Sequence, residues 1–307
     1  MSGLPQGAGR VSLIGVPYHL GQRGVSMGRG PQVMLAPDMA PASLRRTGFD
    51  VEVSWVDADD AVDLAHDQPN VFNELLIPGD QMSRHLIQDR AVASLVSAAR
   101  ANRRTPIVFC GNCNTSLGIL GGLAEEGIGV VWFDAHADCE TPETTISGLF
   151  DAMALATVAG KCWERWRRSI PGFREVPEEL IVFVGNHADP MVRPVGTAVA
   201  PTALRASGLQ ALAEALDALR SRTSSVYLHI DFDIIDPTEG ASSNYAAPGG
   251  LTVAEVTQAI RLVGERFTVL ATAFSAFDPD VDERMPQIIL GLLDAAAASV
   301  PRDEQPT

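Results

Sequence analysis

The chain of 307 residues contains 38 Asp and Glu against 23 Lys and Arg, so its formal net charge is −15, and 46% of its residues are hydrophobic. This balance argues against nucleic acid as a partner, because nucleic-acid binding needs a basic surface. The sequence has no N-terminal signal and no apolar run of membrane length, and its four cysteines are too few for a disulfide scaffold. We therefore expect a cytoplasmic protein that does not bind membranes.

Apolar strands and amphipathic helices alternate along the chain. The predicted strands span 11–16, 106–110, 128–133, 180–184, 226–231 and 268–274, and the clearest predicted helices span 91–101, 203–219 and 252–267. Thr252 and Glu255 form a capping-box pattern at the start of the last helix. Fully apolar strands that alternate with helices are typical of a parallel sheet covered on both faces. We therefore predict an α/β fold with three layers and a doubly wound, mostly parallel sheet.

No internal repeat and no linker divides the sequence. We therefore predict one domain over residues 1–307, with disordered ends at 1–9 and 300–307. In open parallel sheets, ligands bind at the carboxyl ends of the strands. Residues that follow the predicted strands are therefore the first candidates for a functional site.

Acidic residues and a histidine follow two of these strands. Asp134, His136 and Asp138 follow one strand, and Asp231 and Asp233 lie at the end of another. Residues two apart in an extended segment point to the same side, so each group is expected to converge. A single Asp at such a position is usually a turn former or a helix cap. Together, these carboxylates would repel one another without cations between them, which favours a pair of bridged metal ions.

Two cysteines, Cys110 and Cys113, lie three residues apart in a Cys-Gly-Asn-Cys segment at the end of another predicted strand. A redox pair with this spacing would normally open a helix, without a carboxylate cluster nearby. A structural zinc site would need a second pair of Cys or His, and none has the required spacing. The residues alone leave the role of this pair open.

Three segments of the sequence resemble the ureohydrolase family, which includes arginases and agmatinases. They are IGVPYHLGQRGVSMGRGP at 14–31, FDAHADCETPETTISG at 133–148, and HIDFDIIDP at 229–237 followed by GGLT at 249–252. The resemblance implies a doubly wound α/β fold with two divalent ions, most commonly manganese. It also implies a metal-bound hydroxide that attacks the carbon of a guanidinium group in a small molecule, and a homo-oligomer, either a trimer or a hexamer.

The resemblance also gives Cys113 a role, because this residue stands where the family has a histidine that binds the first metal ion. A thiolate is a softer ligand than imidazole but a possible one. The hydroxyarginine hydrolase of D-cycloserine biosynthesis, a family member, has a cysteine there, and the run TPETT at 141–145 also resembles it. The implied ligands are Cys113, Asp134, Asp138 and Asp231 for the first ion, and His136, Asp134, Asp231 and Asp233 for the second.

Three positions depart from the family pattern and concern the substrate. Asp151 replaces a proton-shuttling histidine, and it can either act as an acid or base or cap the following helix. Glu140 replaces an asparagine that contacts the carboxylate of arginine, so free L-arginine is disfavoured and a cationic group is favoured. Ala276 falls at the glutamate that binds the guanidinium group, and the candidates to replace this contact are Asp278, Glu140 and Asp151.

Asp189 and Ser147 complete the implied substrate site; Asp189 forms an Asp-Pro pair with Pro190 that resembles the family's contact to a substrate amino group. His229 is expected to pack or hydrogen-bond behind the metal ions. We predict a hydrolase with two metal ions that cleaves a C–N bond of a guanidine or amidine, with Asp138 orienting the hydroxide and Asp151 transferring a proton. Two alternatives stay open: an amide hydrolase related to deacetylases, and a non-catalytic relative.

Overall fold

The computed structural model describes residues 8–58, 81–189 and 191–302. Its strands are β1 (Arg10–Val16), β2 (Tyr18–His19), β3 (Gln22–Arg23), β4 (Asp50–Trp55), β5 (Thr105–Cys110), β6 (Gly129–Asp134), β7 (Ile181–Gly185), β8 (Thr197–Val199), β9 (Ser225–Asp231) and β10 (Thr268–Ser275). In this part of the chain, eight strands form one parallel sheet in the order β4-β1-β5-β10-β9-β6-β7-β8. β2 and β3 form a separate antiparallel hairpin.

Helices connect most of the strands of the main sheet. The α-helices of the described residues are α1 (Gly30–Met34), α2 (Ala40–Arg46), α3 (Gln81–Ala101), α4 (Ser116–Leu123), α5 (Ala154–Val158), α6 (Glu164–Arg167), α7 (Pro201–Ser207), α8 (Gln210–Arg220), α9 (Val253–Arg266) and α10 (Met285–Ala297). Short 3-10 helices lie at Ser26–Arg29, Cys113–Thr115, Asp151–Met153, Glu178–Leu180 and Phe232–Ile234.

Both faces of the sheet are covered by helices. Val131 and Phe133 of β6 belong to a buried cluster that includes apolar residues of α8, α9 and α10. Val130 and Trp132, which alternate with them, belong to a second buried cluster with residues of α3, α4 and α5. Because successive side chains of a strand point to opposite faces, the two clusters lie on opposite sides of the sheet. The predicted three-layer, doubly wound α/β fold is therefore confirmed.

Each predicted strand is present, with ends that differ by no more than about one residue. The edge strands β4 and β8 were not predicted, and the predicted helix at 91–101 is the second half of α3. The predicted helix at 203–219 is wrong, because it is divided into α7 and α8 at Gly208. The dihedral angles there, φ 61° and ψ −144°, are ones that glycine tolerates and other residues avoid.

The capping box predicted at the start of α9 is present. Thr252 Oγ1 accepts a hydrogen bond from the backbone N–H of Glu255 at 3.1 Å. The Glu255 carboxylate accepts one from the backbone N–H of Thr252 at 2.7 Å. These two bonds satisfy backbone donors that the first turn of a helix leaves without partners.

The two ends of the described chain lie side by side. Gly9 forms an isolated antiparallel bridge with Arg302, and Val300 is buried. Ordered chain therefore extends into the predicted disordered segments, 1–9 and 300–307, of which residues 1–7 and 303–307 lie outside the described residues. Within the described part of the chain, no helix combines the length and the hydropathy needed to cross a bilayer.

Candidate metal and substrate site

The carboxyl ends of the central strands β5, β10, β9 and β6 open into one cavity of about 210 Å³. This is the edge at which parallel α/β sheets bind their ligands. Segments that follow six strands of the main sheet, β1, β5, β6, β7, β9 and β10, contribute to its wall. The wall comprises His19, Leu20, Met27, Cys113, Asp134, His136, Ala137, Asp138, Glu140, Ser147, Leu149, Asp151, Ala152, Asp189, Val192, Asp231, Asp233, Ser243, Tyr245 and Ala276.

The wall of the cavity is strongly acidic. Among the described residues that line it there is no Lys and no Arg, and seven are acidic: Asp134, Asp138, Glu140, Asp151, Asp189, Asp231 and Asp233. A concave site lined by charges of one sign raises the local concentration of ions of the opposite sign. The cavity therefore favours cations, whether metal ions or a positively charged substrate.

Asp134 is the last residue of β6, and both of its carboxylate oxygens are held in place. Oδ2 accepts a hydrogen bond from Trp132 Nε1 at 3.1 Å, and Oδ1 accepts one from the backbone N–H of His136 at 2.8 Å. His136 Nδ1 then lies 3.8 Å from Asp134 Oδ1 and 2.9 Å from Asp233 Oδ2. The strand has already ended at this point, so a turn, rather than an extended segment, brings these side chains together.

Asp231 and Asp233 are positioned by a similar turn after β9. Asp231 Oδ1 accepts a hydrogen bond from the backbone N–H of Asp233 at 2.9 Å, which caps the 3-10 helix that follows. Asp233 Oδ1 accepts one from the backbone N–H of Ala135 at 2.9 Å. These bonds connect the turn after β9 to the turn after β6, and they leave Asp233 Oδ2 facing His136.

Cys113 is the first residue of the 3-10 helix after β5, and it is buried. Its Sγ lies 3.0 Å from Asp231 Oδ2 and 3.9 Å from Asp134 Oδ2. Cys110 points elsewhere, with its Sγ 3.7 Å from the carbonyl oxygen of Phe274. Both cysteines are free thiols, and of the two only Cys113 contacts the carboxylates.

Two groups of potential ligand atoms result, and they share Asp134. The first comprises Cys113, Asp134, His229 and Asp231, and the second comprises Asp134, His136 and Asp233. Within each group, one ligand atom from every residue lies within 4.8 Å of all the others. Thiolate, imidazole and carboxylate are ligands for divalent transition metals. The two groups therefore fit two neighbouring divalent ions.

Asp138 supplies an independent indication of a cation. It is buried, its backbone has φ 51°, and its Oδ2 has no hydrogen-bond partner in the described part of the chain. Leaving a buried polar atom unpaired costs about 1–3 kcal/mol, and more for a charged group. A metal ion beside Asp138 would remove this cost, so the carboxylate fits the ligand role that the family resemblance implies.

The protonation equilibria of the cluster reflect its burial and its crowded charges. Burial raises the pKa of Asp134, Asp138 and Asp231, and neighbouring carboxylates raise it further. Burial likewise raises the pKa of Cys113, and the charge of Asp231 adds to the rise. A divalent cation among these groups would favour their charged forms instead, and a coordinating thiol is deprotonated outright.

His136 and Asp233 behave as an ion pair. Burial disfavours the charged form of each, but their mutual hydrogen bond and attraction outweigh burial. The pKa of Asp233 is therefore lowered, and the pKa of His136 is raised. A metal ion that bound both side chains would take the place of the shared proton.

Asp151 lines the cavity but does not cap the helix that follows it. The 3-10 helix that begins at Asp151 has no side-chain cap, and neither has α5 after it. Instead, Asp151 Oδ2 accepts a hydrogen bond from Asn112 Nδ2 at 2.6 Å, and Oδ1 accepts one from the backbone N–H of Asn114 at 3.1 Å. Burial raises the pKa of Asp151, although these hydrogen bonds oppose the rise. A carboxyl group with a raised pKa suits acid–base chemistry.

The rim of the cavity brings together the other predicted substrate residues. Glu140 Oε2 accepts hydrogen bonds from Thr145 Oγ1 and from Ser147 Oγ, the latter at 3.1 Å. Asp189, in the segment after β7, accepts one from the backbone N–H of Met191 at 3.3 Å. Its neighbour Pro190, the other half of the predicted Asp-Pro pair, lies outside the described residues.

Comparison with known proteins identifies the family. The model of the arginase family matches residues 9–295. The chain belongs to the arginase family. As a ureohydrolase of this family, it is a metal-dependent hydrolase that acts on non-peptide C–N bonds.

Individual members of the arginase family match over most of the chain. The arginase of Bacillus caldovelox is 28% identical over 292 residues, which cover 89% of this chain and 92% of that protein. The native structure of this arginase superposes with a TM-score of 0.78 at 23% identity, covering 97% of this chain and 100% of that one. The formimidoylglutamase of Bacillus subtilis has a similar fold, with a TM-score of 0.68 at 14% identity over 96% of this chain and 89% of that one.

Asp278 does not reach the arginase-family cavity, contrary to the prediction that it contacts the substrate. Its Oδ2 accepts a hydrogen bond from Ser26 Oγ at 2.8 Å, and its Oδ1 accepts one from Arg29 Nη2 at 3.2 Å. The carboxylate is therefore held away from the cavity wall. Ala276 does line the wall, directly after β10, so the structure offers no carboxylate at that position.

Several residues of the cavity wall were not predicted from the sequence: His19, Leu20, Met27, Val192, Ser243 and Tyr245. His19 and Met27 lie within the glycine-rich segment at 14–31. Because this segment resembles the family, it could have predicted that these residues line the site. Ser243 and Tyr245 lie between the family-like segments at 229–237 and 249–252, in a stretch without a pattern of its own. Their position depends on how the segment after β9 folds back over the cavity.

Proposed function

We propose that this arginase-family protein uses two divalent metal ions to hydrolyse a C–N bond in a small guanidine or amidine that carries no free carboxylate. Family membership supports the class of reaction. The observation that carries the proposal is the buried cluster of Cys113, Asp134 and Asp231, with His136 and Asp233 beside it, at the bottom of an acidic cavity. A buried set of this composition is costly without cations.

The proposed ligands are those that the family resemblance implies, and they overlap with the two groups of atoms. Cys113, Asp134, Asp138 and Asp231 would hold one ion, and His136, Asp134, Asp231 and Asp233 would hold the other. When bound, such ions lower the pKa of a water molecule and polarise the substrate. Manganese is our first choice because of the family, and the Cys113 thiolate shifts the preference toward softer ions.

Residues of the chain would position the water and move the protons. As a proposed ligand, Asp138 would hold the ion with one carboxylate oxygen and would accept a hydrogen bond from the attacking water with the other, which orients the water. Asp151 faces the same cavity with a raised pKa, so it can give a proton to the leaving nitrogen. The hydrogen bonds from Asn112 and Asn114 fix the position of the Asp151 carboxylate.

The charge of the cavity supports a cationic substrate. An amidinium or guanidinium group carries a positive charge that the acidic wall attracts. Glu140, held at the rim by Thr145 and Ser147, would repel the carboxylate of free L-arginine and attract an amine. Asp189 adds a second negative charge to the wall. We propose that the substrate ends in an amine or a neutral group at this rim.

The remaining parts of the proposal rest on the family resemblance. They are a trimeric or hexameric assembly of identical chains and the preference for manganese. The cytoplasmic location inferred from the composition stays a prediction.

A substrate screen tests the proposed reaction. The manganese-loaded protein would be incubated with guanidines and amidines that end in an amine, a hydroxyl or a carboxylate, and with acetylated amines. Urea, ammonia and acetate would be measured. We expect C–N cleavage of a carboxylate-free guanidine or amidine with a higher kcat/KM than for L-arginine. Release of acetate alone would favour the amide hydrolase.

A pair of variants controls this screen. Asp233→Asn should abolish turnover, whereas Asp280→Asn, which changes an exposed carboxylate outside the cavity wall, should retain it. A preference for L-arginine, or no cleavage of any compound by protein shown to contain metal, would contradict the proposed function.

A further inference from the structure

His229 lies directly beneath the acidic cluster and has no part in the ligand sets proposed above. It is fully buried on β9, two residues before Asp231. Its ring stacks on Trp132 of β6, with 3.7 Å between ring centroids and an interplanar angle of 21°. Trp132 also donates a hydrogen bond to Asp134. The imidazole is therefore held by the same side chain that positions one of the cluster carboxylates.

The two ring nitrogens of His229 have different surroundings. Nδ1 lies 3.1 Å from both Ser116 Oγ and Tyr227 OH, which are 2.8 Å from each other. Nε2 lies 3.3 Å from Ser275 Oγ, and that hydroxyl is 3.3 Å from Asp231 Oδ2 and 3.4 Å from Cys113 Sγ. Nδ1 is therefore fixed by hydroxyl groups, while Nε2 faces the cluster.

This arrangement is typical of histidines that bind metals. In such sites, the second ring nitrogen usually makes a hydrogen bond that sets the tautomer and the orientation of the ring. The hydroxyls of Ser116 and Tyr227 can serve this purpose by accepting a bond from Nδ1–H, which leaves the lone pair of Nε2 free. The Ser275 hydroxyl does not depend on Nε2, because it is also 3.4 Å from the carbonyl oxygen of Ile230.

Distances within the cluster allow one ion to contact all four side chains. A ring nitrogen of His229, Cys113 Sγ and one carboxylate oxygen each of Asp134 and Asp231 lie within 4.8 Å of one another. Ligand bonds of about 2.0–2.3 Å place ligands on opposite sides of an ion roughly 4–4.6 Å apart. An upper bound of 4.8 Å on these distances is close to this limit, so only small shifts of the side chains are needed.

We propose that His229 Nε2 is a further ligand of the ion held by Cys113, Asp134 and Asp231. This proposal rests on the proposed function, which places an ion at that position. The ion would then have a sulfur and a nitrogen ligand, whereas the ion beside His136 would have nitrogen and oxygen ligands only. Because softer ligands favour softer metals, the two positions would differ in metal preference.

X-ray absorption spectroscopy of the cobalt-loaded wild-type protein tests this proposal without activity. With both His229 and His136 as ligands, the fit should require about one imidazole per ion, and with His136 alone about half. Elemental analysis of the same sample gives the number of ions per chain. Because the wild type is measured, the result does not depend on whether a buried variant folds.

Two variants identify the histidine. His229→Gln should lose imidazole scattering and bind the ion beside Cys113 about tenfold more weakly. His187→Ala is the matched control, because His187 is a partly buried histidine in the segment after β7 and is outside the group of four ligand atoms. This variant should change neither the imidazole scattering nor the affinity for the ion.

The outcomes separate this inference from the proposed function. Two ions per chain with about half an imidazole per ion would overturn the role of His229 and leave the proposed function in place. A wild-type protein that binds no metal would overturn both.

Discussion

In the proposed function, Glu140 is the side chain with the most direct bearing on the choice of substrate. It lines the cavity at its rim, and Thr145 and Ser147 donate hydrogen bonds to its Oε2. These contacts hold the carboxylate at the rim, where we propose that the far end of the substrate lies. A carboxylate on the substrate would therefore meet a negative charge, partly screened by water.

Replacing Glu140 by glutamine should relax this selectivity. The amide keeps an oxygen for Thr145 and Ser147 but removes the negative charge. We expect kcat/KM for a carboxylate-bearing guanidine, relative to an amine-bearing one, to rise about tenfold in Glu140→Gln, which corresponds to about 1.4 kcal/mol. Steady-state kinetics with a matched pair of substrates would measure this ratio.

Glu143→Gln is the matched control for this prediction, because Glu143 is exposed in the same loop and does not line the cavity. In Glu143→Gln, the ratio of kcat/KM for the carboxylate-bearing substrate to that for the amine-bearing substrate should equal the wild-type ratio. An equal change in both variants would show that the net charge of the loop, rather than the contact at Glu140, controls the selectivity.

The sequence predicted the acidic residues of the cavity wall, because most of them follow strand ends in compact motifs. Asp134 and Asp231 end two strands and Cys113 follows a third, and the sheet brings the three side chains together. Asp278 was misplaced, because nothing in the sequence indicates that Ser26 and Arg29 would bind its carboxylate. Contacts between segments some 250 residues apart depend on tertiary structure.

At the scale of elements, α9 begins directly after the GGLT segment at 249–252, whose Leu251 lies beside the chain that follows Asp233. Its capping box connects Thr252 and Glu255. Leu251, directly before it, forms an isolated parallel bridge with Ile235, and the Leu251 N–H donates a hydrogen bond to the carbonyl oxygen of Ile234 at 2.8 Å. The cap therefore stabilises both the helix and the return of the chain toward the cluster.

Removing this cap should destabilise the protein. We expect Thr252→Ala to lower the free energy of unfolding by about 1 kcal/mol, measured by urea denaturation of the metal-saturated protein. Thr257→Ala is the control, because Thr257 lies in the same helix and only donates a hydrogen bond to the carbonyl oxygen of Val253. Equal losses in the two variants would contradict a specific role for the cap.

The central strands were predictable because they are apolar throughout. β4 was not predictable, because several of its side chains are exposed. β8 was not predictable either, because it has only three residues and two of them are exposed. The apolar pattern at 203–219 predicted one helix, but the structure ends a helix just before Gly208. A hydrophobic period does not indicate where a backbone leaves the helical conformation, and one glycine at a permissive position is enough.

At the scale of the molecule, the order of the strands creates the site. β10, the last strand in the sequence, lies between β5 and β9, and Ser275 pairs with both Cys110 and Asp231. This arrangement places the segment that carries Cys113 beside the turn that carries Asp231. The sequence predicted a parallel sheet, but the apolar patterns of its strands are too similar to specify which strands are neighbours.

The central claim is that this fold assembles a two-ion centre in which Cys113 is a ligand. Elemental analysis of protein purified without chelator and incubated with manganese tests it most directly. We expect about two ions per chain in the wild type and in Cys110→Ala, which removes a buried thiol outside the cluster, and about one in Cys113→Ala. No metal in the wild type, or an unchanged content in Cys113→Ala, would contradict the claim.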